Sequence, residues 1–418
     1  MHKIESLLQT LAPKGVEFRK FGEVLGYDQP NKYCVTSKEF DKSYPTPVLT
    51  AGKTFILGYT NEKDNIYQAS KSSPVIIFDD FTTATQWVDF PFKVKSSAMK
   101  ILLPKNPTIN IRFIFFYMQT IPYNISGEHT RQWISRYSQL EVPIPPLEIQ
   151  QEIVKILDAF TELNTELNTE LKARKKQYGY YQNMLLDFND INQNHKDAKE
   201  KLTQKTYPKR LKTLLQTLAP KGVEFKKIGE LFKRNKGINI TAAQMKELHS
   251  EIGKVRIFAG GATKADINYK DISKKDIINC ESVIIKSRGN IGFEYYNQPF
   301  SHKNEIWSYS SKTNQMLVKF LYYYLSNNQD YFQKLAQSSS VKLPQLSVSD
   351  TDEYEVPIPP LEIQQEIVKI LDQFSILTTD LLAGIPAEIK ARKKQYEYYR
   401  EKLLTFKPLT PNKEVKKC

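Results

Sequence analysis

The apolar residues of this chain follow two different periods. From residue 149 to 171, and again from 363 to 381, they recur at intervals of three and four, which places them along one face of a helix. A proline-rich segment at 143–146 precedes the first stretch and predicts that its helix begins at Leu147. The spacing is typical of a coiled-coil seam. We therefore expect two long helices that pack on each other in antiparallel orientation, the second interrupted by the Gly-Ile-Pro sequence at 384–386.

The segments before these helices follow a different pattern. Short runs rich in β-branched and aromatic residues, at 75–78, 254–258 and 282–287, are separated by Gly, Asn, Asp and Pro. These runs predict a small mixed β-sheet in each segment. Two longer apolar runs, at 113–120 and 317–327, predict buried helices that pack on the sheets.

Three blocks of sequence occur twice, in the same order. Repetition of this kind shows that the chain contains two copies of one unit. Between the blocks the copies diverge, although their apolar runs keep a common register. A constant frame around variable inserts is expected when two copies recognise different targets. The repeated blocks are LLQTLAPKGVEF at 7–18 and 214–225, EVPIPPLEIQQEIVKILD at 141–158 and 355–372, and KARKKQY at 172–178 and 390–396.

The charge of the chain narrows the class of its partner. The 60 Lys and Arg residues exceed the 46 Asp and Glu residues, which gives a net charge of +14. A basic surface of this size favours nucleic acid, with an acidic membrane surface as the second possibility. The most apolar stretch, residues 111–118, is too short to span a bilayer, and the N-terminus has no signal-peptide pattern. We therefore predict a cytoplasmic protein with no membrane partner.

Fragments that resemble catalytic motifs are incomplete. The AGKT sequence at 51–54 lacks the leading glycine of a phosphate loop, because Pro47 occupies that position. The aspartate pair at 79–80 has no third carboxylate at ligand spacing, and the Glu-Ile-Lys sequence at 388–390 lies on a predicted coiled coil. The cysteines are far apart, and neither an Asn/Asp-Pro-Pro-aromatic tetrad nor a glycine-rich S-adenosylmethionine loop occurs. We predict no catalytic site, no metal site and no bound cofactor in this chain.

The divergent inserts carry polar and basic residues after predicted strands and near the end of each insert. Arg and Lys can bond guanine, Asn and Gln can bond adenine, and Ser, Thr and Lys also bind phosphates. The identical KARKKQY blocks cannot encode two different sequences, so they fit a scaffold or a partner-docking role. The candidate DNA contacts are Lys53, Thr54, Thr82, Thr83, Gln86, Arg131, Gln132 and Arg136 in the first copy, and Lys286, Ser287, Arg288, Asn290, Lys303, Asn304, Lys342 and Gln345 in the second.

The combination of repeated motifs resembles a known family. The doubled VPIPPLEIQQEIVKILD, the doubled RKKQYxYY and the segment LLAGIPAEIKARKKQYEYYREKLLTF resemble the specificity (S) subunits of type I restriction-modification systems over the whole chain. The resemblance implies an α+β fold with an internal pseudo-two-fold duplication, in which two tandem target-recognition domains are separated by two long antiparallel coiled-coil helices. The predicted boundaries are 1–145 and 207–357 for the target-recognition domains, 146–206 for the first helix and linker, and 358–418 for the second helix and tail.

The resemblance also implies a function. Each target-recognition domain would read one half of a bipartite site on double-stranded DNA, and the helices would set the gap between the halves. Two methyltransferase (M) subunits and the restriction (R) subunits would assemble on the chain, and S-adenosylmethionine, ATP and magnesium would belong to them. The chain itself would be a non-catalytic recognition subunit. Two alternatives are a coiled-coil scaffold that does not bind DNA and a self-sufficient nuclease or methyltransferase.

Overall fold

The computed structural model describes residues 2–50, 54–122, 131–192, 200–201, 206–338, 343–379 and 383–409. The chain divides into two compact units. The first unit is Met1–Asn168 together with Glu388–Cys418, and the second unit is Thr169–Ala387. Each unit therefore combines one predicted target-recognition domain with parts of both helical segments, and the first unit is built from both ends of the chain.

The first target-recognition domain contains three small sheets. One has four antiparallel strands in the order β2-β8-β5-β6, one has three strands in the order β4-β3-β7 with β3 and β7 parallel, and β1 pairs with β9. The predicted small mixed sheet is therefore confirmed as β4-β3-β7, and two further small sheets accompany it. The elements up to the first long helix are α1 (His2–Leu11), β1 (Glu17–Lys20), α2 (Phe21–Val24), β2 (Leu25–Asp28), β3 (Thr46–Leu49), β4 (Ile56–Thr60), β5 (Val75–Asp79), β6 (Thr85–Val88), β7 (Lys93–Val94), β8 (Met99–Pro104), α3 (Ile111–Met118), α4 (Gln132–Ser135), β9 (Glu141–Ile144) and α5 (Leu147–Leu186).

The second target-recognition domain repeats this topology. Its sheets have the orders β11-β17-β14-β15, β13-β12-β16 and β10-β18, and β12 is again parallel to β16. The predicted duplication is therefore confirmed at the level of strand order. The elements are α6 (Lys209–Leu218), β10 (Glu224–Lys227), α7 (Ile228–Leu231), β11 (Phe232–Asn235), α8 (Ala242–Leu248), β12 (Val255–Phe258), β13 (Lys264–Ile267), β14 (Ser282–Lys286), β15 (Gly292–Tyr296), β16 (Phe300–His302), β17 (Trp307–Ser311), α9 (Val318–Asn327), α10 (Gln329–Gln337), α11 (Ser349–Asp352), β18 (Glu355–Ile358), α12 (Leu361–Thr379) and α13 (Gly384–Leu404).

The central strands and the predicted apolar helices form the core of each domain. All five residues of β5 are buried, as are the first four of β14, and this burial explains their continuous β-branched runs. The helices α3 and α9 pack against these sheets and bury most of their aromatic residues. Asn110 starts α3 because its side chain accepts hydrogen bonds from the backbone N–H groups of Arg112 and Phe113.

A short two-stranded ladder, here called the neck, joins the beginning and end of each domain. In the first domain β1 pairs with β9 from Glu17↔Ile144 to Lys20↔Glu141. In the second, β10 pairs with β18 in the matching register. The prolines of the repeated VPIP sequence are tolerated because the ladder has only two strands, so each strand keeps an unpaired edge. The neck brings the ends of each variable insert together at the start of a long helix.

A buried glutamine in the repeated PLEIQQE sequence attaches each domain to its helix. Gln150 accepts a hydrogen bond from the N–H of Asn110 at 2.8 Å and donates to the carbonyls of Thr108 at 3.1 Å and Pro145 at 2.7 Å. Gln364 makes the three corresponding bonds in the second unit. In each unit a single glutamine side chain thus ties the loop before the apolar helix (α3 or α9) to the end of the proline segment.

Replacing this glutamine is expected to loosen one unit at a time. Gln150→Leu removes the partners of three backbone groups and should destabilise the first unit by about 1–3 kcal/mol, the usual cost of buried unsatisfied polar groups. Hydrogen exchange measured by mass spectrometry should show faster exchange in α3 but not in α9, and Gln364→Leu should show the reverse. Gln151→Leu, at an exposed neighbouring position, is the control. Equal loosening of both helices by Gln150→Leu would contradict this role.

The long helices pack in antiparallel orientation inside each unit, as predicted. In the first unit the start of α5 shares a core with the end of α13, and Phe160 stacks on Tyr399 with ring centroids 5.5 Å apart. In the second unit Tyr178 and Tyr181 stack on Phe374 of α12 at 6.1 and 5.2 Å. Tyrosines of the duplicated RKKQYxYY sequence therefore pack against a phenylalanine of the opposing helix.

The predicted interruption of the second helical segment is confirmed. The helix α12 ends at Thr379 and α13 begins at Gly384. Gly384 has a φ of 73°, and a Cβ at this position would lie 2.5 Å from the carbonyl oxygen of Ile376. Only glycine adopts this conformation without strain, so the break is built into the sequence.

The C-terminal residues of the described chain complete the first unit. Leu403 and Leu404 are buried in its core. Val16 donates a hydrogen bond to the carbonyl of Lys407 and accepts one from the N–H of Leu409, both at 2.9 Å. In the second unit the corresponding bond runs from Val223 to an internal residue, Ile191, at 2.8 Å. The valine after each repeated LLQTLAPKG sequence therefore pairs with a different kind of partner. In the second unit the partner segment is close in sequence, and in the first unit it comes from the far end of the described chain.

Candidate nucleic-acid interface

The turn between β5 and β6 of the first domain is fixed from within. One carboxylate oxygen of Asp79 accepts hydrogen bonds from the N–H groups of Phe81 at 2.9 Å and Thr82 at 3.2 Å. The other accepts the hydroxyl of Thr82. Thr83 has a φ of 57°, a conformation that closes the turn. The hydroxyl of Thr82, a candidate DNA contact, is thus committed to holding the turn.

A buried ion pair connects this turn to α4. Asp80 is fully buried; its carboxylate accepts a hydrogen bond from the N–H of Trp133 at 2.9 Å, and its carbonyl accepts the N–H of Gln132 at 2.8 Å. Lys100, which is 1% exposed, lies 3.4 Å from the second carboxylate oxygen. Asp79 and Asp80 therefore hold two surface segments in place, the β5–β6 turn and α4.

The other candidates of the first domain have different positions. Arg131 and Arg136 flank α4 and are exposed, whereas the side chain of Gln132 is 7% exposed and lies inside the domain. Thr54 is exposed just before β4, and Gln86 is exposed on β6. Lys53 lies outside the described residues. The structure therefore brings together the β5–β6 turn and α4, with their candidates Thr82, Thr83, Arg131, Gln132 and Arg136.

In the second domain the turn between β14 and β15 pairs with a segment close to the domain's end. The N–H of Gly289 donates to the carbonyl of Pro344, and the N–H of Leu346 donates to the carbonyl of Ser287, both at 2.9 Å. Arg288 is therefore opposite Gln345 in an antiparallel bridge. Gly289 has a φ of 74°, which the tight turn requires.

The candidate DNA contacts in and beside this turn differ in solvent exposure. Arg288 and Asn290 are exposed, and Gln345 is half-buried. Ser287 is fully buried and its hydroxyl donates to the carbonyl of Glu305 at 2.7 Å, so this side chain is placed inside the domain and not at the surface. Lys286 forms an ion pair with Glu294 at 2.6 Å. Lys342 lies outside the described residues.

A third segment, the loop after β16, joins the same surface. Lys303 lies 3.2 Å from a carboxylate oxygen of Glu305, and the N–H of Gly260 donates to the other at 3.0 Å. Burial alone would raise the pKa of Glu305, but these two contacts and the charge of Arg288 outweigh it and lower that pKa. Asn304 is exposed in this loop. The carboxylate of Glu305 thus pairs with Lys303 and lies within the electrostatic influence of Arg288.

Comparison with known proteins identifies the family that shares this architecture. The sequence profile of the family described as "Type I restriction modification DNA specificity domain" matches residues 13–176 and 220–391. The chain belongs to this family. It is 36% identical to the specificity subunit of type I restriction enzyme EcoR124I/EcoR124II from Escherichia coli, over 98% of both chains. It is also 30% identical to a putative type I specificity subunit, S.HindORF215P, from Haemophilus influenzae, over 84% of this chain and 85% of that one.

The fold of this type I specificity protein is also found in a solved structure. The S subunit of a type I restriction-modification system from M. genitalium matches with a TM-score of 0.61 at 16% identity, over 93% of this chain and 96% of that chain. The resemblance in sequence is therefore confirmed at the level of both family and fold.

Comparison of the two domains identifies a further candidate DNA contact, Lys95, which the sequence analysis did not include. Lys95 follows β7 as Lys303 follows β16; it is exposed and its ammonium lies 5.5 Å from the ring of Phe40. The sequence contains the relevant pattern: Pro91-Phe92 matches Pro299-Phe300, and a lysine follows three residues after the phenylalanine in both copies.

Across the described ranges, no group of three or more His, Cys, Asp and Glu side chains is arranged to hold a metal ion. No helix among the same residues has the length and apolar character needed to cross a membrane.

Proposed function

We propose that this chain recognises a bipartite site on double-stranded DNA, with one half read by each target-recognition domain. The main support for the proposal is that two domains with the same strand order expose different side chains at matching turns. Corresponding turns carry Phe81-Thr82-Thr83 in the first domain and Arg288-Gly289-Asn290 in the second. Different side chains at equivalent positions are what the reading of two different base sequences requires. The net charge of +14 supports a DNA partner, as do the names of the relatives.

We further propose that the chain is a non-catalytic, cytoplasmic subunit that assembles with two methyltransferase subunits and with restriction subunits. Each unit carries the same exposed basic surface, with Lys175, Lys176 and Tyr180 in the second unit and Lys393, Lys394 and Tyr398 in the first. Two identical surfaces suit two copies of one partner. Adenine methylation, ATP hydrolysis and cleavage would belong to the partners, together with S-adenosylmethionine, ATP and magnesium.

Methylome sequencing of a host with and without this chain tests the proposal directly, because it yields the bipartite motif. Binding of the purified complex to DNA should also weaken by on the order of 10³-fold or more between 50 and 200 mM salt if six or more phosphates are contacted. A scaffold that does not bind DNA would show neither result. A self-sufficient nuclease or methyltransferase would show turnover by the pure chain.

Arg288 is expected to contribute to specificity for one half of the site only. Arg288→Ala should weaken binding by about 1–3 kcal/mol, the range for a bidentate contact with guanine. Arg288→Lys keeps the charge and should relax the base preference with less effect on the salt dependence. Competition binding against duplexes with each position altered measures both effects. A change confined to the half read by the first domain would refute the assignment.

A further inference from the structure

An exposed aromatic ring occupies the tip of the β5–β6 turn. Phe81 is 37% exposed, and its N–H is held by the buried carboxylate of Asp79. The ring is therefore presented by a fixed turn and is only partly covered. Tyr27, at 44% exposure, lies over Lys100 of the neighbouring ion pair, and Ile134, at 58%, follows Trp133, which binds Asp80. Three exposed aromatic or aliphatic side chains thus belong to residues that contact this buried ion pair or adjoin its partners in the chain.

Four polar side chains of the same surface, those of Asp79, Asp80, Thr82 and Gln132, are buried or bonded within the domain. Asp79 is 5% exposed and Asp80 is 0% exposed. The hydroxyl of Thr82 donates to Asp79, and Gln132 is 7% exposed. The matching turn of the second domain instead exposes Arg288 and Asn290. The two tips therefore differ in kind, since the first offers an aromatic ring where the second offers hydrogen-bonding groups.

Cationic groups flank the aromatic tip. Arg131 and Arg136 stand exposed at the two ends of α4, whose first two N–H groups bind Asp80. This combination of apolar centre and positive edges is complementary to a DNA groove, where phosphates border the base edges. In the major groove, the one apolar group that any base pair presents is the C5-methyl of thymine.

We propose that Phe81 reads a thymine in the first half-site by packing against its C5-methyl group. This inference rests on the proposed function and specifies its chemistry: the first half contains a T·A pair whose methyl group is recognised by apolar contact. The second half is recognised by Arg288 and Asn290 through hydrogen bonds, which select guanine and adenine.

Deoxyuridine tests the inference because it pairs as thymine does but lacks the methyl group. The probes are duplexes that carry the motif from methylation mapping, with each thymine replaced singly by deoxyuridine. The complex of this chain with its methyltransferase subunits should bind one first-half probe about fourfold more weakly, the value of one buried methyl group. Deoxyuridine in the second half should have no such effect.

A double-mutant cycle then links the methyl group to the side chain. Phe81→Ala should bind the thymine and deoxyuridine duplexes with equal affinity, whereas Phe81→Leu should keep part of the discrimination. Ile252→Ala, which removes an exposed apolar side chain from the second domain, is the control and should discriminate as the unaltered chain does.

The outcomes separate this inference from the proposed function. Equal binding of all deoxyuridine probes by the unaltered complex, with the bipartite motif still selected, overturns the role of Phe81 and leaves the function in place. Discrimination that persists in Phe81→Ala overturns it too. Loss of methyltransferase subunits from Phe81→Ala in sedimentation would identify the ring as a protein contact and overturn the inference. Binding without any sequence preference would overturn the proposed function itself.

Discussion

A chain in which residues 228–354 replace residues 21–140 is expected to direct methylation to sites whose two halves carry the same base sequence. The physical reason is the neck. The first replaced residue, Phe21, donates to the carbonyl of Leu140 at 2.9 Å, and Ile228 donates to that of Tyr354 at 3.0 Å. Because the flanking ladders have the same register, the second domain can be joined to the first neck without a change in backbone path.

Methylome sequencing of cells that express this chain would give the result in one experiment. The original first half-site should disappear from the motif, and the second should occur in both halves. An exchange of residues 19–140 for those of another type I system is the complementary test, and it should alter one half only. A motif that keeps any base of the original first half would show that residues outside the exchanged segment read it.

Insertion of one further TELN unit into Thr161–Leu171 is expected to abolish methylation of the original sites and to create sites with a longer gap. This segment reads TELNTELNTEL and lies within the continuous helix α5. Four residues are close to one helical turn of about 3.6, so the partly buried Leu163, Leu167 and Leu171 stay near one face. The helix becomes longer by about 6 Å. With DNA rising about 3.4 Å per base pair, the gap should increase by one or two base pairs.

Methylation mapping of the insertion variant measures the gap and both half-sites together. Both half-site sequences should be unchanged, because the target-recognition domains are untouched. An inserted Ala-Ala-Ala-Ala should give the same gap, whereas two residues would rotate the seam by about 200° and should disrupt assembly. If the four-residue variants methylate the original sites normally, the added turn is absorbed elsewhere in the chain and α5 does not set the gap.

Features that depend on local pattern could be predicted from the sequence. The start of α5 after the prolines, the break at Gly384 and the paired domains all follow from periodicity, backbone restrictions and repetition. The division into units could not be predicted, because the seams of two antiparallel helices indicate that they pack on each other but not at which residue one compact unit ends and the other begins. Phe160 finds its partner in Tyr399, whereas Tyr178, on the same helix, finds Phe374.

The candidate site was predicted less completely, for a related reason. A serine or glutamine in a variable loop looks the same in sequence whether it is exposed or buried. Ser287 is buried because the carbonyl of Glu305 accepts its hydroxyl, and Gln132 is buried beside the backbone of Asp80. Such partners are distant in the chain. Phe81 is not part of an apolar run, since two aspartates precede it and two threonines follow it, so no periodic pattern shows whether its ring is exposed or buried.

The closure of Val16 on Leu409 has a consequence for synthesis. At about 5–20 residues per second, roughly 10–50 s pass on the ribosome between Asn168 and Leu409. During that time Ile149 and Ile153 lack the Leu403 and Leu404 that share their core. The second unit is continuous and can finish meanwhile. The first unit is therefore completed after the second unit, and a chain that stops before Leu403 lacks part of the core around Ile149 and Ile153.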